Sequence, residues 1–299
     1  MLLKKIQKAI RNPRICVMRI VAMMARLFPD RLYLSLYYRL NMRKRLDWNN
    51  LQTYNEKLQW LKIHNRVSEM TTMVDKYAAK QYVAERIGKE YIIPTLGIYD
   101  TVDEIDFEAL PNQFVLKCTH DSGGLVICTD KSTFDPKAAR AKLRKFYKRS
   151  YFWYNREWPY KDVPRRIIAE KYMVDESGDE LKDYKFFCFD GEPKLLYIAT
   201  DRSCEGEETK FDFFDMDFNH LSMRNGHPNS PRPIACPPSF EKMKALAAKL
   251  SKGQPHVRVD LYDVNGQVYF GELTFYHWSG VVPFEPEEWD YTLGSWIKL

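Results

Sequence analysis

Asn265-Gly266 separates two runs that alternate apolar and polar residues, 257–262 and 267–276. A two-residue loop of this kind takes positive φ at both positions and matches the twist of antiparallel strands, so the region is expected to fold as a tight hairpin. Counting outward from the turn places Glu272 opposite Val259 and next to Asp260, within the slack of one bulge. Two carboxylates among Val, Leu and Phe repel each other unless a cation joins them. Such an oxygen pair suits Mg²⁺, which keeps several waters and uses one or two carboxylates plus substrate phosphates. Arg258, two residues before Asp260, shares its face and can grip a phosphate or a carboxylate with two hydrogen bonds. The competing reading is an ion-paired Arg258–Asp260–Glu272 cluster that only stabilises the hairpin.

A second pattern stands upstream, Lys117-Cys-Thr-His-Asp-Ser-Gly-Gly124 after the apolar run 114–116. A lysine ending a strand, followed at once by a glycine loop, puts a cation beside backbone N–H groups that can curl around phosphate oxygens. The loop has neither the G-x-x-x-x-G-K-[ST] nor the G-x-G-x-x-G spacing, so a P-loop and a Rossmann turn are not supported. An ordinary hairpin with a polar turn would look the same. Around these patterns, Thr53-Tyr-Asn-Glu56 reads as a capping box before a helix. Thr72-Met-Val-Asp75 reads as the start of a helix over 76–87 that Gly88 stops, and Pro94 demotes 91–99 to an edge strand. Strands are expected over 114–118, 125–129 and 166–173, and a hairpin over 184–201 turning at Asp190-Gly191. Asp135 and Ser239 are expected to cap helices.

Charge is uneven. Residues 1–49 hold twelve Lys/Arg against Asp30 and Asp47, and with a total of +6 the remainder is acidic by four charges. No domain-wide basic surface is left, so a nucleic-acid binder is not expected. Leu2, Leu3, Ile6, Ala9 and Ile10 recur at helical spacing among lysines, and a second apolar stretch covers 15–28. Arg19 and Arg26 interrupt it, so it reads neither as a membrane span nor as a signal peptide. Two amphipathic helices are expected, lying on an anionic inner leaflet or packed on the body. The six cysteines include no C-x-x-C, which argues against a zinc ribbon or a disulfide framework and points to a cytoplasmic chain, peripheral at the inner membrane face if the helices meet lipid.

In order along the chain, Tyr54-Asn-Glu-Lys-Leu-Gln-Trp-Leu-Lys62, Val74-Asp-Lys-Tyr77, Phe114-Val-Leu-Lys-Cys-Thr-His-Asp-Ser-Gly-Gly124, Ile168-Ala-Glu-Lys-Tyr-Met173, Asp183-Tyr-Lys-Phe-Phe-Cys-Phe-Asp-Gly191, Val257-Arg-Val-Asp-Leu-Tyr262 and Gly271-Glu-Leu-Thr-Phe-Tyr276 resemble the ATP-grasp superfamily, in its TupA-like branch linked with teichuronopeptide and surface-polysaccharide biosynthesis. The resemblance covers about residues 45–299. It implies an α+β chain with the ATP-grasp fold, two α/β lobes clasping a nucleotide, preceded by the N-terminal amphipathic helices. The division expected is a basic segment 1–48, an N-terminal α/β lobe 49–112, and an ATP-grasp domain 113–299 made of a nucleotide lobe 113–173 and a metal-binding lobe 174–299.

The same resemblance implies roles. Lys76 and Lys117 are similar to the two phosphate-binding lysines, and the loop with His120, Ser122, Gly123 and Gly124 to the one that folds over the phosphates. Glu170, Lys171, Tyr172 and Met173 resemble the hinge whose backbone reads adenine, Asp183 the acid that holds ribose, and Lys185 or Lys210 a further phosphate contact. Arg258 resembles the arginine that steadies the transferred phosphoryl group, making Arg258, Lys117 and Lys185 the catalytic set. Asp260 and Glu272 resemble the Mg²⁺ ligands, with Thr274 where the family's Glu-x-Asn motif has Asn.

The activity implied is an ATP- and Mg²⁺-dependent ligase joining a carboxylate to an amine through an acyl phosphate, on a cell-surface polysaccharide or its precursor. No protein nucleophile is needed, and no G-x-S-x-G is present. The rivals are a glycosyltransferase, for which Asp215-Met-Asp217 would be the D-x-D, and a sugar kinase using the same ATP site. His277 reads as structural, and Trp153, Trp158 and Tyr160 as core residues rather than a sugar platform.

Overall fold

The computed structural model of this chain describes residues 17–18, 21–175, 181–202 and 208–299. Its strands in chain order are β1 (Thr95–Tyr99), β2 (Phe114–Cys118), β3 (Leu125–Cys128), β4 (Ile167–Lys171), β5 (Asp183–Phe189), β6 (Glu192–Thr200), β7 (Lys210–Asp215), β8 (His220–Leu221), β9 (Arg224–Asn225), β10 (Val257–Val264), β11 (Gln267–Thr274) and β12 (Phe284–Glu285). They form a smaller antiparallel sheet, β1-β4-β2-β3, a larger one, β11-β10-β5-β6-β7-β8, and a β12-β9 pair.

The turns follow their residues. Asn265 and Gly266 take φ of 54° and 81°, Asp190 and Gly191 51° and 84°, and each pair closes a hairpin whose tight turn needs positive φ. The β10–β11 register carries one bulge. Leu261 faces Phe270 while Asp260 faces Glu272, so Gly271 is the extra residue. A Cβ there would lie 3.0 Å from the Asp260 carbonyl oxygen and 3.1 Å from the Tyr262 ring. The bulge brings Glu272 opposite Asp260 instead of Val259.

Thr53 and Glu56 form the expected capping box on the helix Tyr54–His64, with Glu56 N donating to Thr53 Oγ1 at 3.3 Å and Thr53 N to Glu56 Oε2 at 3.0 Å. Asp135 caps Pro136–Tyr147 through Lys137 N and Ala138 N. Two local expectations fail. Ser239 precedes the helix Phe240–Ser251 without capping it, because its hydroxyl donates to the Asp263 carboxylate. Thr72 lies inside one helix, Glu69–Val74, and the next, Ala78–Ile87, begins after a break. There the Asp75 carboxylate accepts from Tyr77 N at 2.9 Å and Arg166 at 2.7 Å, an alternative to helical bonding.

The helices Tyr54–His64, Glu69–Val74 and Ala78–Ile87 share one core with the larger sheet, through Leu58, Met70, Met73 and Val83 against Phe186, Phe187 and Val259. β1 is an edge strand of the smaller sheet. The division expected at 112/113 therefore passes through that sheet, and the helices of 49–112 bury their apolar faces on the strands of 174–299. A second core lies between the smaller sheet and Pro136–Tyr147.

The first expected N-terminal helix falls in 1–16, outside the described residues. In the second stretch 17–18 and 21–23 are helical. The helix Asp30–Met42 buries Tyr33, Leu34, Tyr37 and Tyr38, so its apolar face meets protein. No helix among the described residues is long and apolar enough to cross a membrane.

Near the C-terminus, the helix Glu288–Trp296 packs across the Thr53 cap at Gly294. A Cβ there would overlap the Gln52 carbonyl oxygen and lie 2.7 Å from the Thr53 carbonyl carbon. Gly294→Ala is expected to lower stability by about 2 kcal/mol, because backbone on both sides must move; urea unfolding measures it, and an unchanged midpoint would contradict the packing described.

Candidate active site

Strand alternation sends Lys117 of β2 and Glu170 of β4 to the same face of the smaller sheet. Their ion pair is 2.6 Å long, through Glu170 Oε2, and Lys80 of the helix Ala78–Ile87 takes Oε1 at 2.5 Å. Glu170 is buried. Burial raises its carboxyl pKa, but Lys117 and Lys80 reverse this and hold it below the usual range. Burial also pulls the Lys117 ammonium down, and Glu170 returns it to well above the lysine range.

Lys80 was missed in the sequence. The available signal was its position four residues after Lys76, one helical turn on, in a stretch otherwise apolar on that face. Lys76 itself is placed differently from Lys117, donating to the Asp121 carbonyl at 3.0 Å, at the glycine loop.

That loop leaves β2 with Cys118 N donating to the Gly124 carbonyl at 2.8 Å. Gly123 has φ +91°, and a Cβ on Gly124 would lie 2.8 Å from Cys118 Sγ. The loop can close this tightly only with glycine at these places. Ser122, Gly123 and Gly124 line a cleft of about 310 Å³, together with Lys76, Lys80, Lys117 and Glu170 on one side and Asp183, Lys185, Arg202 and Glu272 on the other. His120, expected among the ligand-binding residues, faces away. Its ring bonds the Tyr147 carbonyl at 3.1 Å, and burial, with Arg165 nearby, pushes its pKa down to about 4. It buttresses the loop from behind as a neutral donor.

On the larger sheet, Lys185 of β5 lies directly across from Asp260 of β10. It pairs with Asp183 at 2.5 Å and with Asp260. Arg202 also reaches Asp183, at 3.2 Å. Arg258 grips Asp260 with Nε at 2.6 Å and Nη2 at 2.7 Å, and Nη2 lies 3.2 Å from Glu272 Oε1 and 3.1 Å from Thr274 Oγ1. Asp260, expected beside Glu272 as a metal ligand, thus has both oxygens engaged by cations and does not line the cleft. A buried carboxylate at a sheet centre needs such partners, and on this strand the ion-paired cluster is what the geometry shows.

Of the expected pair, Glu272 alone presents its carboxylate to the cleft; solvent reaches 41% of its side chain. The cleft walls still desolvate the carboxylate in part and raise its pKa, but Lys76, Lys185, Arg258 and Lys117 together bring it down to about 2. It is anionic at any working pH. Among the described residues no three His, Cys, Asp or Glu side chains converge as a metal cage.

Several expected residues lie elsewhere. Lys171, Tyr172, Met173 and Lys210 are not in the cleft wall. The Lys171 side chain lies on the face of β4 opposite Glu170, and its backbone N–H donates to the Pro94 carbonyl at 3.0 Å. Lys210 opens β7, paired with Thr200 and separated from β10 by β5 and β6. Asp215-Met-Asp217 is a local turn, in which the Asp215 carboxylate accepts from Asp217 N, Asn219 N and Asn219 Nδ2 at 2.8–2.9 Å. Its donors are backbone and amide groups, so the transferase reading loses its metal motif. Trp153 lies under Arg26 and Arg156, and Tyr160 packs on Tyr151 and the main core.

A family model described as TupA-like ATPgrasp matches residues 56–298. No curated protein matches the chain. Among solved structures, it is similar to a D-alanine–D-alanine ligase from Bacillus anthracis complexed with ATP at 15% identity, over 68% of this chain and 54% of that one, with a TM-score of 0.39. The ATP-grasp ligase PsnB complexed with a phosphomimetic variant of its minimal precursor, Mg and ADP aligns at 8% identity over 74% and 57%, TM-score 0.42. An L-amino acid ligase from Bacillus licheniformis aligns at 12% over 76% and 50%, TM-score 0.46. The chain spans little more than half the length of these proteins. The family match runs through both sheets and every cleft residue named above, and the chain belongs to the TupA-like ATP-grasp family.

Proposed function

We propose that the protein is an ATP- and Mg²⁺-dependent ligase that joins a carboxylate to an amine through an acyl phosphate. One observation carries the reading: Lys80 and Lys117, paired on Glu170, face Lys185 and Glu272 across a single cleft closed at one end by the glycine loop. Lysines, loop N–H groups and a lone carboxylate are the donor set a metal-bound polyphosphate needs. The fit holds for the triphosphate. It holds for Mg²⁺ on Glu272, where the remaining ligands would be phosphate oxygens and water. Bound there, the metal would neutralise phosphate charge.

Lys80, Lys117 and Lys76 then hold phosphate oxygens, while Lys185 and Arg258 behind Glu272 spread the charge that develops on the transferred group. The acceptor carboxylate attacks the γ-phosphorus and ADP leaves; the amine next attacks the acyl carbon and expels phosphate. Positioning supplies most of the acceleration. The acceptor proposed is a uronic-acid carboxylate of a cell-surface polysaccharide or its precursor. Residues 1–49 would hold the enzyme to an anionic membrane face, with Met23 and Leu27, 85% and 74% exposed, as apolar anchors. Asp183 is proposed to hold the ribose, displacing its bonds to Lys185 and Arg202.

Lys80→Met and Lys117→Met should each weaken binding of a non-hydrolysable ATP analogue by about thirtyfold, about 2 kcal/mol for a charge-assisted bond, and should lower the melting temperature as well because Glu170 is left with one partner. Calorimetry reads the affinities; equal binding by both variants and wild type would remove the lysines from the site. Glu272→Gln should raise the Mg²⁺ concentration for half-maximal ADP release about tenfold without altering metal-free nucleotide binding. The reaction itself is tested with ATP, Mg²⁺, a panel of uronic acids and amino acids, scoring ADP and new amide masses. A phosphorylated sugar as product, or turnover indifferent to the carboxylate, would sink the ligase assignment.

A further inference from the structure

Past β11 the chain makes a turn in which Trp278, Ser279 and Gly280 take φ of 48°, 56° and 63°. Left-handed backbone at three successive residues, one of them Trp, persists only where neighbours impose it. The imposing face belongs to the helix Tyr54–His64. Gln59 Nε2 donates to the Ser279 and Gly280 carbonyls at 3.1 and 2.8 Å, and the buried Lys62 donates to Ser279 O and Oγ, both at 2.8 Å. A Cβ on Gly280 would lie 2.9 Å from Leu58 Cβ.

What this clamp delivers is His277. Its Nδ1 lies 2.8 Å from Arg258 Nη1 and its Nε2 2.8 Å from Asn225 Oδ1. Arg258 can only donate, so Nδ1 accepts and Nε2 carries the proton. The Asn225 amide is oriented by its own nitrogen, which donates to the Val282 and Pro283 carbonyls at 3.1 and 3.0 Å, leaving Oδ1 for the ring.

We propose that His277 is a positioning residue, a neutral imidazole held between Asn225 and Arg258 by the turn that Gln59 and Lys62 clamp, fixing where the Arg258 guanidinium points. The proposal rests on the role given to Arg258 above. Arg258 must serve Asp260, Glu272 and Thr274 at once; with Nη1 unpaired in a buried site the guanidinium would turn to recover a partner and leave Glu272. A protonated ring could not accept from it. The ring's surroundings favour neutrality, since burial and then Arg258, His256 and Lys185 push its pKa well below the histidine range, and Phe187, Tyr197 and Trp278 cover it.

The test compares His277→Leu, His277→Gln and wild type by ADP release from MgATP with water as acceptor, by KM for ATP, by melting, and by ¹⁵N spectra of the imidazole. The Leu variant should lose about tenfold in turnover with KM for ATP within about twofold. The Gln variant, which offers one acceptor and one donor, should recover most of it. The wild-type ring should be the neutral Nε2–H form from about pH 6 to about pH 8. Wild-type turnover in the Leu variant, a Gln variant as slow as the Leu one, or a charged ring would overturn the proposal. Where the Leu variant does not fold, the Gln variant and the ring spectra decide. Wild-type protein that binds no nucleotide would refute the ligase reading instead, and the spectra alone would then judge this inference.

Discussion

Two buried carboxylates organise the molecule, each straddled by two cations. Glu170 lies between Lys80 and Lys117, and Asp260 between Arg258 and Lys185. Removing one ion from a buried pair leaves an uncompensated charge, so such groups specify their neighbours strictly. Lys80 stands on a helix that packs against the larger sheet, and Glu170 on the central region of the smaller one. Their pair therefore ties the two sheets together at the floor of the cleft. Arg166 with Asp75, and Lys76 N with the Thr119 carbonyl at 3.3 Å, repeat the tie beside it.

The same arrangement prepares the cleft for anions. A lysine held by a buried carboxylate stays charged and has already lost side-chain freedom, so a phosphate meeting it need not order it. Burial lowers the Lys80 pKa even with Glu170 alongside, which makes a second anion at Lys80 more welcome than at an exposed lysine. On the function proposed, structural ion pairs and ligand-binding cations are one set of residues.

Legibility in the sequence followed the range of the interactions. The hairpin at Asn265-Gly266, the Thr53 capping box and the glycine loop depend on residues within a few positions of each other, and all were readable. The one-residue offset at Gly271 was visible only as slack in the register, because a bulge answers to the backbone contact between Gly271 and the Asp260 carbonyl. The fate of Asp260 was written in a cross-strand neighbour, Lys185, whose pairing depends on which strand lies beside β10; sequence order does not tell that β5 does. His120 was misread for a related reason. Position in a phosphate-type loop says nothing about which side of the loop a ring takes, and here the free carbonyl at Tyr147, at the end of Pro136–Tyr147, claims it.

The segment from Tyr54 to Lys62 carries much of the family resemblance yet contributes no side chain to the cleft wall. Its Asn55, Gln59 and Lys62 fall on one helix face and all reach 279–282 or the Asp290 carboxylate. A helix interior would tolerate many residues at these places if packing were the only demand. Three carbonyls and a hydroxyl in a turn with left-handed backbone ask for donors of fixed length at fixed heights, and an amide, an amide and an ammonium at i, i+4 and i+7 supply them. The motif is accordingly legible as chemistry only once the turn it holds is known, and the turn lies more than two hundred residues away.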